Sequence, residues 1–241
     1  MHYLETAVDI AREAGALLAN YFERRVPFEL KGEFDLVTEA DRSSERLVVE
    51  RLRSHFPTHT IVAEEGGGHE SASEYRWYVD PLDGTTNFAH SFPMFNVTLG
   101  LARGSEVIAG VIYDPIRQEM FTAERGGGAY LNHRRIHVSA TRQLGDSLAS
   151  TGFPSRKRHH NVNIHFYYQL AMASHGVRRT GNCGSWGWHD IFALPEPERE
   201  KTAVWDVGCA PSMTDRWWGE ENAAPLSGGP VFRDNREAIG G

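Results

Sequence analysis

The chain has 241 residues, 40% hydrophobic and 24% charged, with a formal net charge of −7. That length supports one large domain or two small ones around a substantial core. The acidic balance argues against a nucleic-acid partner, because a phosphate backbone calls for a basic face, and no apolar run approaches the length of a membrane span.

Residues 3 to 21 carry Leu4, Ala7, Val8, Ala11, Leu17 and Leu18 near one face, the pattern of an amphipathic helix. Acids lie among these apolar residues, so no signal peptide is expected. A strand pair or loop ending in FDLVTEAD follows. Residues 42 to 56 predict a second helix with Asp41 as its N-cap. HTIVAEE (59–65) predicts a strand that stops at Gly66, and RWYVD (76–80) another. Phe95 to Ala102, Val107 to Tyr113 and Met120 to Ala123 read as a meander, with turns at Arg103-Gly104 and Asp114-Pro115. Residues 160 to 174 read as a helix. RKRHHNVNIH (156–165) is basic, but no aromatic residues interleave its charges, so a solvated loop leading into that helix is the reading. Helices followed by antiparallel strands give an α+β class rather than a doubly wound parallel sheet. Cys183 and Cys209 form no disulfide framework, which suits a reducing cytoplasm.

The chemistry concentrates in VDPLDGTTNF, residues 79 to 88. Pro81 fixes one backbone angle and cannot continue a ladder, so the chain is expected to turn with Asp80 and Asp83 facing one space. Two buried carboxylates that close repel, and one retains a proton unless a divalent cation removes the conflict. Hard oxygen ligands suit magnesium. Gly84, Thr85 and Thr86 then open a short helix whose first amides suit an anion such as phosphate. DPLDG by itself also suits a plain Asx-type turn with Asp83 as a helix cap. Further acids stand at Asp35, Asp41, Glu64, Glu65 and Asp206, several of them at the edges of loops, where function concentrates.

Together these residues resemble the inositol monophosphatase family of magnesium-dependent, lithium-sensitive phosphatases. The matching pieces are FDLVTEAD (34–41), IVAEE (61–65), WYVDPLDGTTNFAHSFP (77–93) and WD (205–206). GVIYDP (110–115), GGGAYLN (126–132) and RRTG (178–181) fit as well. The resemblance is continuous to about residue 181 and patchy beyond. It implies a layered α-β-α-β-α sandwich, with a metal-binding portion over 1–181 and a divergent portion over 182–241 completing the substrate side. It implies that Glu64, Asp80 and the Leu82 carbonyl hold one magnesium, and that Asp80 bridges to a second held also by Asp83 and Asp206. Thr85 and Asp41 would orient the attacking water, and the amides of Gly84 and Thr85 would hold the phosphate. Asp206 would also line the substrate. The implied reaction is two-metal activation of water on a small phosphorylated polyol, inositol monophosphate first, without a phosphoenzyme. Histidinol phosphate or another sugar phosphate is the rival substrate. A catalytically weak metal- and phosphate-binding protein acting through a partner is the rival class. A cytoplasmic homodimer is expected.

The sequence departs from that pattern after Gly181. Five of the six tryptophans fall in residues 186 to 218. Pro211 follows the WD pair, Trp217-Trp218 stand near an expected small pair, and Arg199 stands where the family carries an acid that touches substrate hydroxyls. A divergent substrate wall, an acid shifted to Glu198 or Glu200, and a slipped reading frame all fit these departures. Resequencing the gene separates the third from the others.

Overall fold

The computed structural model describes residues 2–24, 27–32, 35–137, 143–151 and 163–179. Helix α1 spans Tyr3–Arg24, three residues beyond its expected end, with Arg24 in the last turn where a cation favours the helix's negative pole. Its buried stripe is Ala7, Ile10, Ala11, Ala14, Gly15 and Leu18. Leu4, Val8 and Leu17 are only half-buried. The stripe is thus centred on small residues, which let the helix sit close to its neighbours.

Strands β1 (Phe28–Gly32) and β2 (Asp35–Thr38) pair antiparallel and lead into α2 (Glu39–His55). The helix starts three residues earlier than the sequence suggests, and Thr38 rather than Asp41 is the N-cap. The Thr38 hydroxyl accepts from the amides of Ala40 and Asp41 at 3.1 and 3.3 Å. Asp41 in turn accepts from the Thr38 amide at 2.7 Å, which closes a capping box. Asp41 therefore belongs inside the first turn, held by its own cap.

Seven strands follow in one sheet: β3 (Thr60–Ala63), β4 (Tyr75–Asp83), β5 (Asn96–Arg103), β6 (Glu106–Asp114), β7 (Glu119–Glu124), β8 (Gly128–Leu131) and β9 (Arg134–Ile136). Their spatial order is their chain order; β3 and β4 run parallel and every later pair is antiparallel. The meander is as read, but β8 and β9 extend it. They are joined by Asn132 and His133, both with positive φ, as a tight hairpin turn requires. Strand β4 does not stop at Asp80. It runs through Pro81 to Asp83, with its register against β5 shifted between the two aspartates. The residue without an N–H stands where the ladder is already interrupted.

The helix pair covers this sheet, α1 over β5, β6 and β7 and α2 over β3 and β4. A Cβ at Gly15 would lie 2.5 Å from the Tyr113 ring, so glycine permits α1 to lie down on β6. Ile10, Leu18, Val48, Leu52, Trp77, Val79, Leu99, Leu101 and Val111 fill the core between them. Beyond the main sheet, β10 (Leu148–Thr151) and β11 (Gly176–Arg179) pair parallel, and the helix α4 (Asn163–Ala173) crosses between them. A parallel pair demands such a crossover. Among the described residues no helix is long and apolar enough to cross a membrane. Arg199, Asp206, Pro211, Trp217-Trp218, both cysteines and the basic run 156–160 lie outside the described residues.

One core residue makes stability depend on pH. His59 stacks between Phe56 and Tyr75, and its Nδ1 accepts the Trp77 indole N–H at 3.1 Å. Burial lowers its pKa below the usual 6.5. The unfolded chain then binds the proton more readily, so stability is complete above about pH 6.5 and falls as pH drops toward the depressed folded value. Urea midpoints measured between about pH 7 and pH 5 should fall more steeply for the natural chain than for His59→Phe. Equal slopes would remove His59 from the account.

Candidate active site

Three segments meet at one end of the sheet. The first turn of α2 supplies Asp41, the turn after β3 supplies Glu64 and Glu65, and the end of β4 supplies Asp80 and Asp83. The chain then passes through Gly84, in the left-handed region at φ 98°, into the short helix α3 (Thr85–Ala89). Its N-cap, Gly84, has no side chain with which to cap it. The Asp83 carboxylate accepts from Asn96 Nδ2 at 3.2 Å.

Asp41 is only 2% exposed and its oxygens are used separately. Oδ2 accepts from the amide and hydroxyl of Thr38 at 2.7 and 2.6 Å. Oδ1 accepts from Thr85 Oγ1 at 3.0 Å. The same Thr85 hydroxyl lies 3.1 Å from the Leu82 carbonyl, so its single proton is shared between two acceptors. Burial raises the Asp41 pKa, opposed by the bonds from Thr38 and Thr85 and reinforced by the charge of Glu65.

Asp80 stands under more strain. Burial first, then the charges of Glu64 and Asp83, push its carboxyl well above the usual value. A side-chain hydrogen bond with Glu64 pushes the same way, and only the Leu82 amide, at 3.2 Å from Oδ1, opposes it. This is the repulsion that two carboxylates around a Pro-Leu pair imply. No group of three or more His, Cys, Asp or Glu among the described residues already converges as a ready ligand set. What suits a cation is the chemistry of the site: crowded, buried carboxylate oxygens with a backbone carbonyl nearby, all hard donors. A divalent ion there would offset charges that otherwise oppose one another.

The surrounding framework fixes these groups. Ser44 on α2 donates to the Pro81 carbonyl at 2.8 Å. Glu45, one residue on, accepts from the amides of Glu65 and Gly67 at 2.6 and 2.8 Å. Thr98 donates to Asn96 Oδ1 at 2.8 Å, which leaves the Asn96 amide hydrogens facing Asp83. The structure thus brings together Asp41, Leu82 and Thr85 in one hydrogen-bonded set and Glu64, Asp80 and Asp83 in one electrostatic set, with Gly84 between them. Asp206 lies outside the described residues. Sequence reading missed Thr38, Ser44, Glu45 and Asn96. The T-x-x-D spacing was a usable signal for Thr38, and the one-turn spacing of Asp41 and Glu45 for the second acid.

A model of the Inositol monophosphatase family matches residues 1–211, which takes in Trp205 and Asp206. The chain belongs to that family. It is 41% identical over 186 residues to "Nus factor SuhB" of Pseudomonas aeruginosa, covering 74% of this chain and 69% of that protein. It is 40% identical over 183 residues to "Inositol-1-monophosphatase" of Mesorhizobium japonicum, with the same coverage. Among solved structures, the extragenic suppressor protein suhB of Bartonella henselae superposes with a TM-score of 0.73 at 34% identity, covering 79% of this chain and 76% of that one. The α+β class and the sandwich architecture follow from this kinship, and kinship supports phosphatase activity.

Proposed function

We propose that this inositol monophosphatase family chain is a magnesium-dependent phosphomonoesterase that hydrolyses a small phosphorylated polyol, inositol monophosphate first. The observation that carries the proposal is Asp80: a buried carboxyl, pressed by Glu64 and Asp83, whose conflict a divalent cation relieves. Glu64, Asp80, Asp83 and the Leu82 carbonyl are the proposed ligands here, joined by Asp206, and Asp206 is also proposed to line the substrate. Bound magnesium would supply a more acidic water and charge stabilisation for the leaving oxygen.

The chain's own residues do the positioning. Asp41 and the Leu82 carbonyl share the Thr85 hydroxyl proton, which leaves the Thr85 lone pairs to accept from a water. Two bonds from Thr38 keep Asp41 from rotating away. Gly84 and Thr85 present amides at the start of α3 toward the phosphate. The left-handed conformation of Gly84 makes that turn available, and a side chain there would be strained. Water made more acidic by bound metal would be the nucleophile, so the hydrolysis proposed is direct and in line, and no phosphoprotein should be trapped.

A second reading is favoured by one finding, the relatives named "Nus factor SuhB". In that reading the chain retains metal and phosphate binding, is catalytically weak and acts through a partner. Phosphate release from a panel of phosphomonoesters, among them inositol monophosphate and histidinol phosphate, decides between the two. The expected result is magnesium-dependent turnover, inhibited by lithium, fastest on inositol monophosphate. A folded protein that turns over none of the panel favours the partner reading.

A further inference from the structure

Glu45 is 5% exposed, on the face of α2 that also carries Asp41 one turn earlier. A buried carboxylate needs compensation, and here both oxygens are used by backbone. Oε2 accepts from the Glu65 amide and Oε1 from the Gly67 amide. These are short, charge-assisted bonds to the turn that follows β3. The Glu65 N–H belongs to the peptide unit whose carbonyl is that of Glu64. Anchoring it fixes the plane from which the Glu64 side chain departs toward Asp80.

We propose that Glu45 is a positioning residue for the cation site: it grips the Glu64–Gly67 turn from α2 and so sets how tightly a divalent cation is held. The proposal rests on the reading that Glu64 is a metal ligand. Its own content is that α2 delivers two acids with different tasks, Asp41 toward Thr85 and Glu45 toward the turn. Ser44, between them, ties the same helix to the Pro81 carbonyl. One helix face thereby references the three segments that carry the acids to a single rigid element. Gly67 belongs to the device, because a Cβ there would lie 2.7 Å from Glu45 Oε1. The intruding atom would meet the movable end of a side chain, so an alanine displaces the carboxylate without opposing the fold.

Two variants of the full chain test this, Glu45→Gln and Gly67→Ala. Glutamine keeps the shape, loses the charge and turns an amide group toward a backbone N–H. Magnesium alone is titrated by calorimetry, and amide exchange is followed at residues 65 and 67. The expected result is magnesium affinity weakened by about 10–100-fold in both variants, the range for partners that orient metal ligands. Exchange at the two amides should quicken, while kcat at saturating magnesium is retained. Faster exchange with unchanged magnesium affinity would make Glu45 a structural residue only and overturn the proposal. A natural chain that binds no magnesium would overturn this proposal and the metal reading together. Normal binding by the natural chain with no change in the variants overturns this proposal alone.

Discussion

Asp83→Asn should lose at least about 100-fold in magnesium-dependent turnover, roughly 2.7 kcal/mol of transition-state stabilisation. It should do so in a protein that is no less stable without metal. The two effects have opposite signs for one reason. Asp83 is one of the charges that raise the Asp80 pKa, and neutralising it removes part of a buried repulsion. The asparagine side chain still offers a carbonyl oxygen to Asn96 Nδ2, so the contact made by Asp83 Oδ2 is kept in kind. A steady-state assay with inositol monophosphate, paired with urea unfolding in a chelator, reads both effects. Activity that survives at ordinary magnesium would remove Asp83 from the ligand set. Activity lost together with stability would mean that Asp83 acts through the fold.

The largest stability effect is expected at Trp77, not at an acid. Its side chain is 1% exposed, stacks on Phe56 with ring centroids 5.3 Å apart, and donates its indole N–H to His59. Trp77→Ala removes that volume and leaves the His59 acceptor without its indole donor, for a loss of about 3–5 kcal/mol. Domains of this kind have only about 5–15 kcal/mol to lose. Trp77 and Asp80 share strand β4, so loosening the first loosens the platform of the second. Urea unfolding monitored by circular dichroism measures the loss. A change below about 1.5 kcal/mol would mean that the aromatic cluster collapses around the gap.

The site was more legible in the sequence than its supports were. VDPLDGTTNF carries its chemistry in a contiguous run, so two carboxylates, a turn and two hydroxyls could be placed together without knowing the sheet. The meander was legible because alternation and turn residues are local signals. Helix α2 shows the limit. Asp41 and Thr38 are both good capping residues, and choosing between them needs the reciprocal bond that only a capping box supplies. The strand through Pro81 was missed because a proline argues against a strand interior, and here it sits where the register slips. Glu45 and Asn96 were invisible for another reason. Their roles depend on contacts 13 to 22 residues away in sequence, and nothing local distinguishes a buried glutamate on a helix from a solvated one.

The central claim is that the acids around Asp80 form a cation site that serves phosphate ester hydrolysis. Calorimetric titration of magnesium into the intact chain and into Asp80→Asn tests it most directly, because Asp80 is the carboxyl on which the other charges converge. The account predicts magnesium binding by the natural chain and its loss, or a weakening of at least about 100-fold, in the variant. Equal magnesium affinity in the two proteins would contradict it.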